Sequence, residues 1–594
     1  MAIGVVTSRV TRVFDVEKVT KKFYDEFKGE HADFLKFLRG IPDENDRAWY
    51  VSVMMNRLMF IYFVQKKGFL DGDGDYLQHK LAESKARGRD RFYRDFLVPL
   101  FFEGFAQEAD KRSPEVRKLL GSVPYLNGGL FTPHDLEQKY GEAIAIPDAV
   151  FERRFAFFDK YTWHLDDRPW HVDNEINPDV LGFIFEKYIN QKQMGAYYTK
   201  EDITGYICRN TILPFLLDKL GDRRYAAMNP LPLHDVEPYI YEAVKQAEYL
   251  PTETEREYTA RQKRLESIRA DFAGGKIAAV NDLITYNLDI EAFVQDWLAE
   301  LDDPVTLRAF YFECLRKLTV LDPTCGSGAF LFAAMNILEP LYERCLERMA
   351  EFAGPRHPDF GEELARVARH PNRTYFICKS IIVHNLYGVD IMEEAVEICK
   401  LRLFLKLVAQ VDDGKKVEPL PDIDFNIRAG NTLVGYATQE EVAAATSYGS
   451  LFNIDIEQQI VEAARGLDAF RDLQTRIDTP PGVMAAAKQG VRDKLSEPDA
   501  VLNKALANEY RMEVEPFVAS HRPFHWYVQF HAIMREGGFD VIVGNPPYLD
   551  YRDMPDYQPR GYQTTVTRNL YSLVLERCQG LIMESGRQGF IVPI

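Results

Sequence analysis

Two hydrophobic patterns divide the chain. From its start to about residue 316, apolar side chains recur every three or four positions, as in segments 16–38 and 47–70, and this is the period of amphipathic helices. From residue 317 onwards, short apolar runs alternate with longer helical stretches. Strands and helices that alternate in this way predict a largely parallel sheet with helices on both faces.

The second pattern contains five strand candidates. They are LTVLD (318–322), NLYGVDI (385–391), IDFNIRAGNTLVG (423–435), FDVIVGNPPY (539–548) and QGFIVPI (588–594), the last after a helix predicted at 570–585. The long segment before the fourth strand is helical in pattern and contains the breaker TPPG, so we expect an insertion at the sheet edge. The predicted parts are a helical N-terminal domain (1–175), a further helical region (176–316), the first half of the sheet (317–436), the insertion (437–535) and the second half (536–594).

Composition restricts where in the cell the protein is expected and what it is expected to bind. The chain has 594 residues, 46% of them hydrophobic, a net charge of −18 and a pI near 5.3. This balance argues against a surface that binds nucleic acid everywhere, although an acidic protein can still hold a basic cleft. The sequence contains neither a secretory signal nor the roughly 20 apolar residues that span a bilayer. We therefore predict a cytoplasmic protein that does not enter membranes.

The seven cysteines form no CxxC pair and lie in apolar or helical contexts. We predict that they are reduced core thiols, rather than metal ligands or a disulfide framework.

Unusual residues follow the first two strand candidates, where ligands bind in open parallel sheets. In DPTCGSG, Gly326 and Gly328 allow a tight turn close to a ligand, and Asp322 can accept from an ammonium group. The spacing is neither that of a P-loop nor GxGxxG. Asp390 ends the second strand and can accept from both ribose hydroxyls, while Ile391 can lie on the base. These two sites predict a nucleoside that carries an amino-acid end.

The order of DPTCGSGAF, LYGVDI and NPPY resembles motifs I, II and IV of S-adenosylmethionine-dependent DNA adenine-N6 methyltransferases of the gamma class. GAYYT (195–199) lies where that class has the motif that closes over the methionine carboxylate. A closer resemblance is to the large methyltransferases of Type IIG restriction-modification and of the BREX and DISARM phage-defence systems. It rests on the helical N-terminal region, VPYLNGGLF, NPDVLGFIFEKYI, AVEICKLRLFLKL and NIRAGNTLVG.

The resemblance implies an α/β fold: a Rossmann-like methyltransferase sheet with a large helical N-terminal domain and a helical insertion. It implies S-adenosyl-L-methionine as the cofactor. Asn431 stands where shorter family members often carry an aspartate that accepts from the cofactor's adenine amine. The implied cofactor-binding residues are Tyr198, Thr199, Asp322, Pro323, Cys325, Gly326, Gly328, Asp390, Ile391 and Asn431.

The corner Asn545-Pro546-Pro547-Tyr548 ends the fourth strand, because neither proline has an N–H to donate. The resemblance implies that this corner holds the exocyclic amine of an adenine. The Asn545 side-chain oxygen and the Pro546 carbonyl would accept its two hydrogens, and Pro547 would keep the corner stiff. Tyr548 would stack on a base turned out of double-stranded DNA. Neither a general base nor a metal is required.

Some of these residues also have structural explanations. The NPPY corner could be only a turn that ends a strand, and Asp390 could be the N-cap of the next helix. Asn431 could have a capping or turn role. Thr199 could cap the helix that begins with KEDI.

Two parts of the family pattern are incomplete. Type IIG proteins join a PD-(D/E)xK nuclease to the methyltransferase, but the one candidate, Glu83-Ser-Lys85 after Asp71, Asp73 and Asp75, lies in a charged helical stretch. We therefore expect the N-terminal region to be structural or to bind other subunits of a defence system. The family's sheet has seven strands, and this sequence ends after the fifth, so we expect a truncated sheet that lacks a target-recognition domain.

The leading hypothesis is site-specific DNA adenine-N6 methylation in a bacterial restriction-modification or phage-defence system. An alternative is a non-catalytic DNA- or cofactor-binding subunit of a defence complex. A third is methylation of a protein glutamine, since those enzymes also use NPPY, although they usually lack the large helical domain and the insertion.

Overall fold

The structure is a computed structural model that describes residues 21–126, 131, 133–165, 174–184, 199–222, 232–412, 414, 418–446, 452–474, 481–550, 557 and 559–593. Of the predicted site residues, Tyr198 lies outside these ranges. Among the described helices, none has the length and apolar character that crossing a membrane requires.

Helices precede, interrupt and flank a small sheet. In chain order they are α1 (residues 21–37), α2 (Glu44–Lys66), α3 (Tyr76–Arg87), α4 (Pro114–Leu120), α5 (Asp135–Tyr140), α6 (Asp148–Phe158), α7 (Pro178–Ile184), α8 (Glu201–Asp222), α9 (Glu242–Lys245), α10 (Glu255–Ala273), α11 (Val280–Thr285), α12 (Ile290–Glu300), α13 (Pro304–Arg308), α14 (Ala329–Phe352), α15 (Pro358–Val367), α16 (Arg373–His384), α17 (Glu393–Ala409), α18 (Gln439–Thr446), α19 (Phe452–Gln474), α20 (Pro481–Tyr510), α21 (Val514–His521), α22 (Trp526–Gln529), α23 (His531–Arg535) and α24 (Leu570–Gln579).

Five strands form one parallel sheet. A separate parallel pair, β1 (Thr162–Trp163) and β2 (Glu175–Ile176), precedes it. The sheet contains β3 (Val320–Asp322), β4 (Leu386–Asp390), β5 (Ile427–Ala429), β6 (Phe539–Gly544) and β7 (Ile582–Phe590). Its order is β5-β4-β3-β6-β7, and every neighbouring pair is parallel. The prediction of a largely parallel sheet is confirmed.

The strand order reverses at β3. The chain passes from β3 to β4 and β5 on one side, and then returns to place β6 and β7 on the other. All six residues of β6 are buried, as expected of a strand covered on both faces. The carboxyl ends of β3 and β6 therefore lie side by side at the point where open α/β sheets bind ligands.

Two predicted boundaries were wrong. Helix α24 ends at Gln579 rather than residue 585, because Gly580 follows it and glycine is a poor helix former. The next strand accordingly begins at Ile582 and ends at Phe590. The third strand is shorter than predicted, since the N–H of Asn431, two residues after β5, donates to the carbonyl of Arg522 rather than to β4.

The N-terminal helices and the sheet share one apolar core. The largest cluster of buried apolar side chains includes Phe60 of α2, Leu403 of α17 and Val543 of β6. Lys67, just after α2, donates to the carbonyls of Val408 and Ala409 at the end of α17. Helices α18 to α21 contribute instead to a second cluster.

The cysteine prediction is confirmed for the seven cysteines. All seven thiols are free and buried.

Candidate functional site

The glycine-rich loop after β3 requires its glycines. Gly326 and Gly328 have φ angles of +52° and +90°, in the region that favours glycine. A Cβ on Gly328 would lie 2.6 Å from Cys399 Sγ, so a side chain would also collide with α17. At the start of the loop, Asp322 is 1% exposed, and its Oδ1 accepts from the Thr324 N–H at 3.1 Å.

The side chain of Cys325 faces the protein interior. It does not face the crevice, by which we mean the region at the carboxyl ends of the strands where a ligand would bind. A Cβ on Gly388 of β4 would lie 3.0 Å from Cys325 Sγ, and the thiol is 3% exposed. A hydrogen bond with Cys399, together with burial, raises the pKa of Cys325 well above its ordinary value. Its backbone shapes the loop instead, since its N–H donates to Val389 O at 3.0 Å and its carbonyl accepts from the Gly328 N–H at 2.8 Å.

Arg402 holds the glycine-rich loop from behind. This α17 side chain is 5% exposed and donates through Nη1 to the carbonyl and hydroxyl oxygens of Ser327, at 2.8 and 3.1 Å. Its Nε donates to Pro178 O of α7 at 3.0 Å. The predictions did not include Arg402, although an arginine within the apolar run KLRLFLKL was a signal that it bonds to something inside the fold.

Asp390 links the ends of β3 and β4. Its Oδ2 accepts from the Gly326 N–H and its Oδ1 from the Met392 N–H, both at 2.9 Å. Burial raises the pKa of its carboxyl group above the ordinary value, and the two N–H donors oppose that rise. Met392 is the N-cap residue of α17, so Asp390 lies just outside the cap position. Each carboxylate oxygen retains a lone pair that can accept another hydrogen bond.

Asn431 is held by the insertion. It is 3% exposed, its Nδ2 donates to His521 O at 2.8 Å, and its Oδ1 accepts from the Leu433 N–H and from the Tyr557 hydroxyl, both at 3.0 Å. Because a carbonyl oxygen has two lone pairs, accepting from a ligand would require Tyr557 to give way.

The end of the insertion contacts the loops that follow β4 and β5. Arg522, which has a φ of +46°, donates through Nη1 to the carbonyl of Ile391 at 2.8 Å. On the loop after β5, the hydroxyl of Thr432 donates to the carbonyl of Pro323 in the glycine-rich loop. Arg522 and Thr432 were also missing from the predictions, since sequence patterns do not reveal which distant segments meet.

The NPPY corner lies directly beside the glycine-rich loop. A Cβ on Gly544, the last residue of β6, would lie 3.0 Å from Asp322 Oδ1 and 3.6 Å from Pro323 Cδ. The two strand ends therefore approach closely, and a side chain at position 544 would press on Asp322. Pro546 is buried, while Asn545, Pro547 and Tyr548 are partly exposed.

Asn545 is held from two sides. Its Nδ2 donates to Thr199 Oγ1 at 3.0 Å, and its Oδ1 accepts from the Tyr548 hydroxyl at 2.5 Å. The same hydroxyl lies 2.9 Å from Ile591 O, and the Tyr548 ring meets Tyr571 edge-on at 6.1 Å between centroids. Thr199, just before α8, is thus in direct contact with the corner.

The strand ends bring together the residues that the sequence predicts to hold a nucleoside with an amino-acid end. The turn at Gly326 and Gly328 brings the loop backbone next to Asp390, whose carboxylate oxygens can still accept from ribose hydroxyls. Asp322 lies at the next strand end. The residues that would hold S-adenosylmethionine are thus Asp322, the loop to Gly328, Asp390 and Ile391.

The nuclease candidate residues belong to separate pairs. Glu83 and Lys85 lie on α3, as the predicted helix requires. Lys85 pairs with Glu152, Asp75 with Lys66, and Asp73 with His79. These side chains therefore form ion pairs with different partners and do not form one common site.

Comparisons with known families match restriction-modification methylases. The family described as Eco57I restriction-modification methylase matches residues 384–594, and the family described as MmeI, DNA-methyltransferase domain, matches residues 299–430. A family described only as a domain of unknown function matches residues 53–164. The two methylase matches contain β3 to β7, including the glycine-rich loop and the NPPY corner.

A curated relative is similar along nearly the whole chain. It is a Methanocaldococcus jannaschii protein whose name gives it as a type II restriction enzyme and methyltransferase, 27% identical over 641 residues. The match covers 98% of this chain and 48% of that protein, so the chain spans about half the length of this relative. A solved structure of the Type IIL restriction-modification enzyme MmeI with DNA matches 66% of this chain and 36% of its own, with 17% identity and a TM-score of 0.34.

Proposed function

We propose that this chain is the methyltransferase part of a Type IIG-like restriction-modification enzyme. Its substrate is double-stranded DNA, and its product carries a methyl group on the exocyclic N6 of an adenine. The matched families support a restriction-modification methylase, while the adenine target, the cofactor S-adenosylmethionine and any partner subunits of a BREX- or DISARM-like defence system belong to the proposal.

The observation that carries the proposal is the position of the NPPY corner. Asn545 offers a side-chain oxygen and Pro546 a backbone carbonyl, both at the end of β6. This end lies against Asp322 at the end of β3, where the strand order reverses. A corner rich in acceptors beside the glycine-rich loop fits the transfer of a group to an amine.

The residues of the corner would act by accepting hydrogen bonds. An exocyclic adenine amine is a weak nucleophile, and positive charge grows on its nitrogen as it attacks. Asn545 Oδ1 and the Pro546 carbonyl are acceptors that stabilise this charge. Tyr548 presents a ring on which an extruded base can stack, provided that its hydroxyl leaves Asn545. S-adenosylmethionine supplies an electrophilic methyl group when it is bound.

The proposal is tested by Asn545→Ala in the 594-residue chain. We expect methyl transfer to unmethylated genomic DNA to fall at least about 100-fold, because one acceptor for the amine is lost, while the Kd for S-adenosylmethionine stays within a few-fold. Tritium transfer measures the rate, nucleoside analysis of the DNA identifies N6-methyladenine, and titration calorimetry gives the Kd.

Asn508→Ala, at an exposed position of α20, is the matched control and should leave both quantities unchanged. Methyl groups found on cytosine or on a protein glutamine would contradict the adenine assignment. A wild-type chain that binds the cofactor and DNA but transfers no methyl group would favour the non-catalytic alternative.

A further inference from the structure

Thr199 meets the catalytic corner from a distant part of the chain. It lies 346 residues before Asn545, yet its Oγ1 is 3.0 Å from Asn545 Nδ2. The side chain is 6% exposed, so water does not readily replace it. Its hydroxyl accepts from the amide nitrogen, which leaves the amide oxygen directed to the other side of the Asn545 side chain.

The orientation of this amide decides what the corner can bind. A primary amide has an acceptor on one side and two N–H donors on the other. With its oxygen towards the base, Asn545 accepts from an adenine amine. Rotated by half a turn, it would present N–H groups to the N–H groups of the amine, and no hydrogen bond could form.

Tyr548 supports this orientation of the Asn545 amide only until a base enters the corner. Its hydroxyl donates to Asn545 Oδ1 at 2.5 Å, the position that the amine of a bound base must take. When the base enters, the hydroxyl must leave. The contact between Thr199 and Nδ2 lies on the opposite side of the amide, and a bound base does not displace it.

We propose that Thr199 is a positioning residue that fixes the orientation of the Asn545 amide for methyl transfer. The inference rests on the proposed function, because it assigns Asn545 to the target amine. It also differs from the role in cofactor binding expected for Thr199 from the sequence, and the two roles have different kinetic consequences.

The test compares Thr199→Val with Thr199→Ser. Valine keeps the shape and cannot accept a hydrogen bond, whereas serine keeps the hydroxyl. We expect the single-turnover rate of methyl transfer to genomic DNA, at saturating S-adenosylmethionine, to fall on the order of tenfold in T199V, the effect of losing about one hydrogen bond. The rate should return towards wild type in T199S, and the Kd for the cofactor should stay within twofold in both.

A matched control is Thr204→Val. Thr204 is a buried threonine of α8 whose Oγ1 donates to Glu201 O at 3.1 Å, rather than bonding to Asn545. T204V should leave the transfer rate unchanged. If T199V is poorly folded, as judged by its thermal midpoint, Thr199→Ala serves as the second variant, with the same expected rate and the same rescue by serine.

Three results would overturn the inference: a T199V rate equal to wild type at all cofactor concentrations, a T199V defect seen only below saturation with cofactor, or a T199S rate as low as that of T199V. The second would make Thr199 a cofactor-binding residue. Failure of the proposed function would look different, because the wild-type chain would itself bind cofactor and transfer no methyl group. That result would remove the role assigned to Thr199 as well.

Discussion

The contacts of Asn431 explain why an amide, and not a carboxylate, stands at this position. Its Nδ2 donates to the carbonyl of His521 at 2.8 Å, and an aspartate has no N–H to give. A carboxylate at this position would place an oxygen against a carbonyl oxygen in a site that is 3% exposed. The residue type therefore follows from the insertion that packs against it, and not only from a ligand.

We expect Asn431→Asp to lower the free energy of unfolding by about 1–3 kcal/mol, because His521 O loses its donor and a charge is buried beside it. Urea denaturation, followed by circular dichroism, measures the change. Asn508→Asp, at an exposed site of α20, is the control and should cost little. A stability of Asn431→Asp equal to that of wild type would mean that the amide does not donate to the insertion.

Helix α17 does more for the site than cover the sheet. Its N-terminus follows Asp390, and Arg402 near its middle bonds to Ser327 of the glycine-rich loop and to Pro178 of α7. A guanidinium group presents several donors in a fixed plane, which a lysine ammonium cannot reproduce. The helix thus connects the N-terminal helices to the loop that would hold the cofactor.

We expect Arg402→Lys to raise the Kd for S-adenosylmethionine roughly 10- to 100-fold. The reason is the loss of charge-assisted hydrogen bonds of about 1.5–3 kcal/mol that keep the loop in shape. Titration calorimetry measures the Kd. Arg344→Lys, in a partly exposed pair with Glu347 on α14, should bind cofactor like wild type. An unchanged Kd in Arg402→Lys would show that the loop keeps its shape without the guanidinium.

The sequence predicted the strand ends better than the elements around them. Strands β3, β4 and β6 are buried on most positions and appear as continuous apolar runs, and a parallel sheet brings their carboxyl ends to one edge. The close approach of Gly544 to Asp322 follows from this topology. The end of α24 was misjudged because Leu581, Ile582 and Met583 continue an apolar pattern beyond Gly580.

The contacts with the insertion could not be predicted in the same way. Whether Arg522 meets Ile391 depends on how α18 to α21 pack among themselves, and no local pattern encodes that path. The bond from Asn545 to Thr199 is of the same kind. Patterns of two to four residues determine helices and strands, but they carry no information about which distant side chains meet.

At the scale of the whole molecule, one buried histidine, His525, makes the stability of the folded protein depend on pH. His525 is 1% exposed, its Nδ1 accepts from the Tyr436 N–H at 3.2 Å, and its Nε2 lies 3.1 Å from Asn503 Oδ1. Burial lowers the pKa of His525 to about 3. The ring is therefore neutral in the folded chain, with its proton on Nε2, but becomes protonated near pH 6.5 in the unfolded chain.

Because the unfolded state binds the extra proton, stability is complete above about pH 6.5 and is lost as the pH falls towards 3. Through His525 alone, we expect the free energy of unfolding to decrease by about 2 kcal/mol between pH 7 and pH 5. His525→Gln keeps an acceptor and a donor without a titrating group, so its decrease should be smaller by that amount. Denaturation midpoints at the two pH values test this, and equal decreases would contradict it.

The long sequence separations between contacting residues at the site also affect the order in which parts of the structure form. Asn431 and His521 are 90 residues apart, and Thr199 and Asn545 are 346 residues apart, so both contacts close large loops. Helices form from local contacts within microseconds, whereas distant pairs meet late and slowly. During refolding, the helices should therefore form before the contacts of the crevice. A newly made chain would have its secondary structure well before its site is assembled.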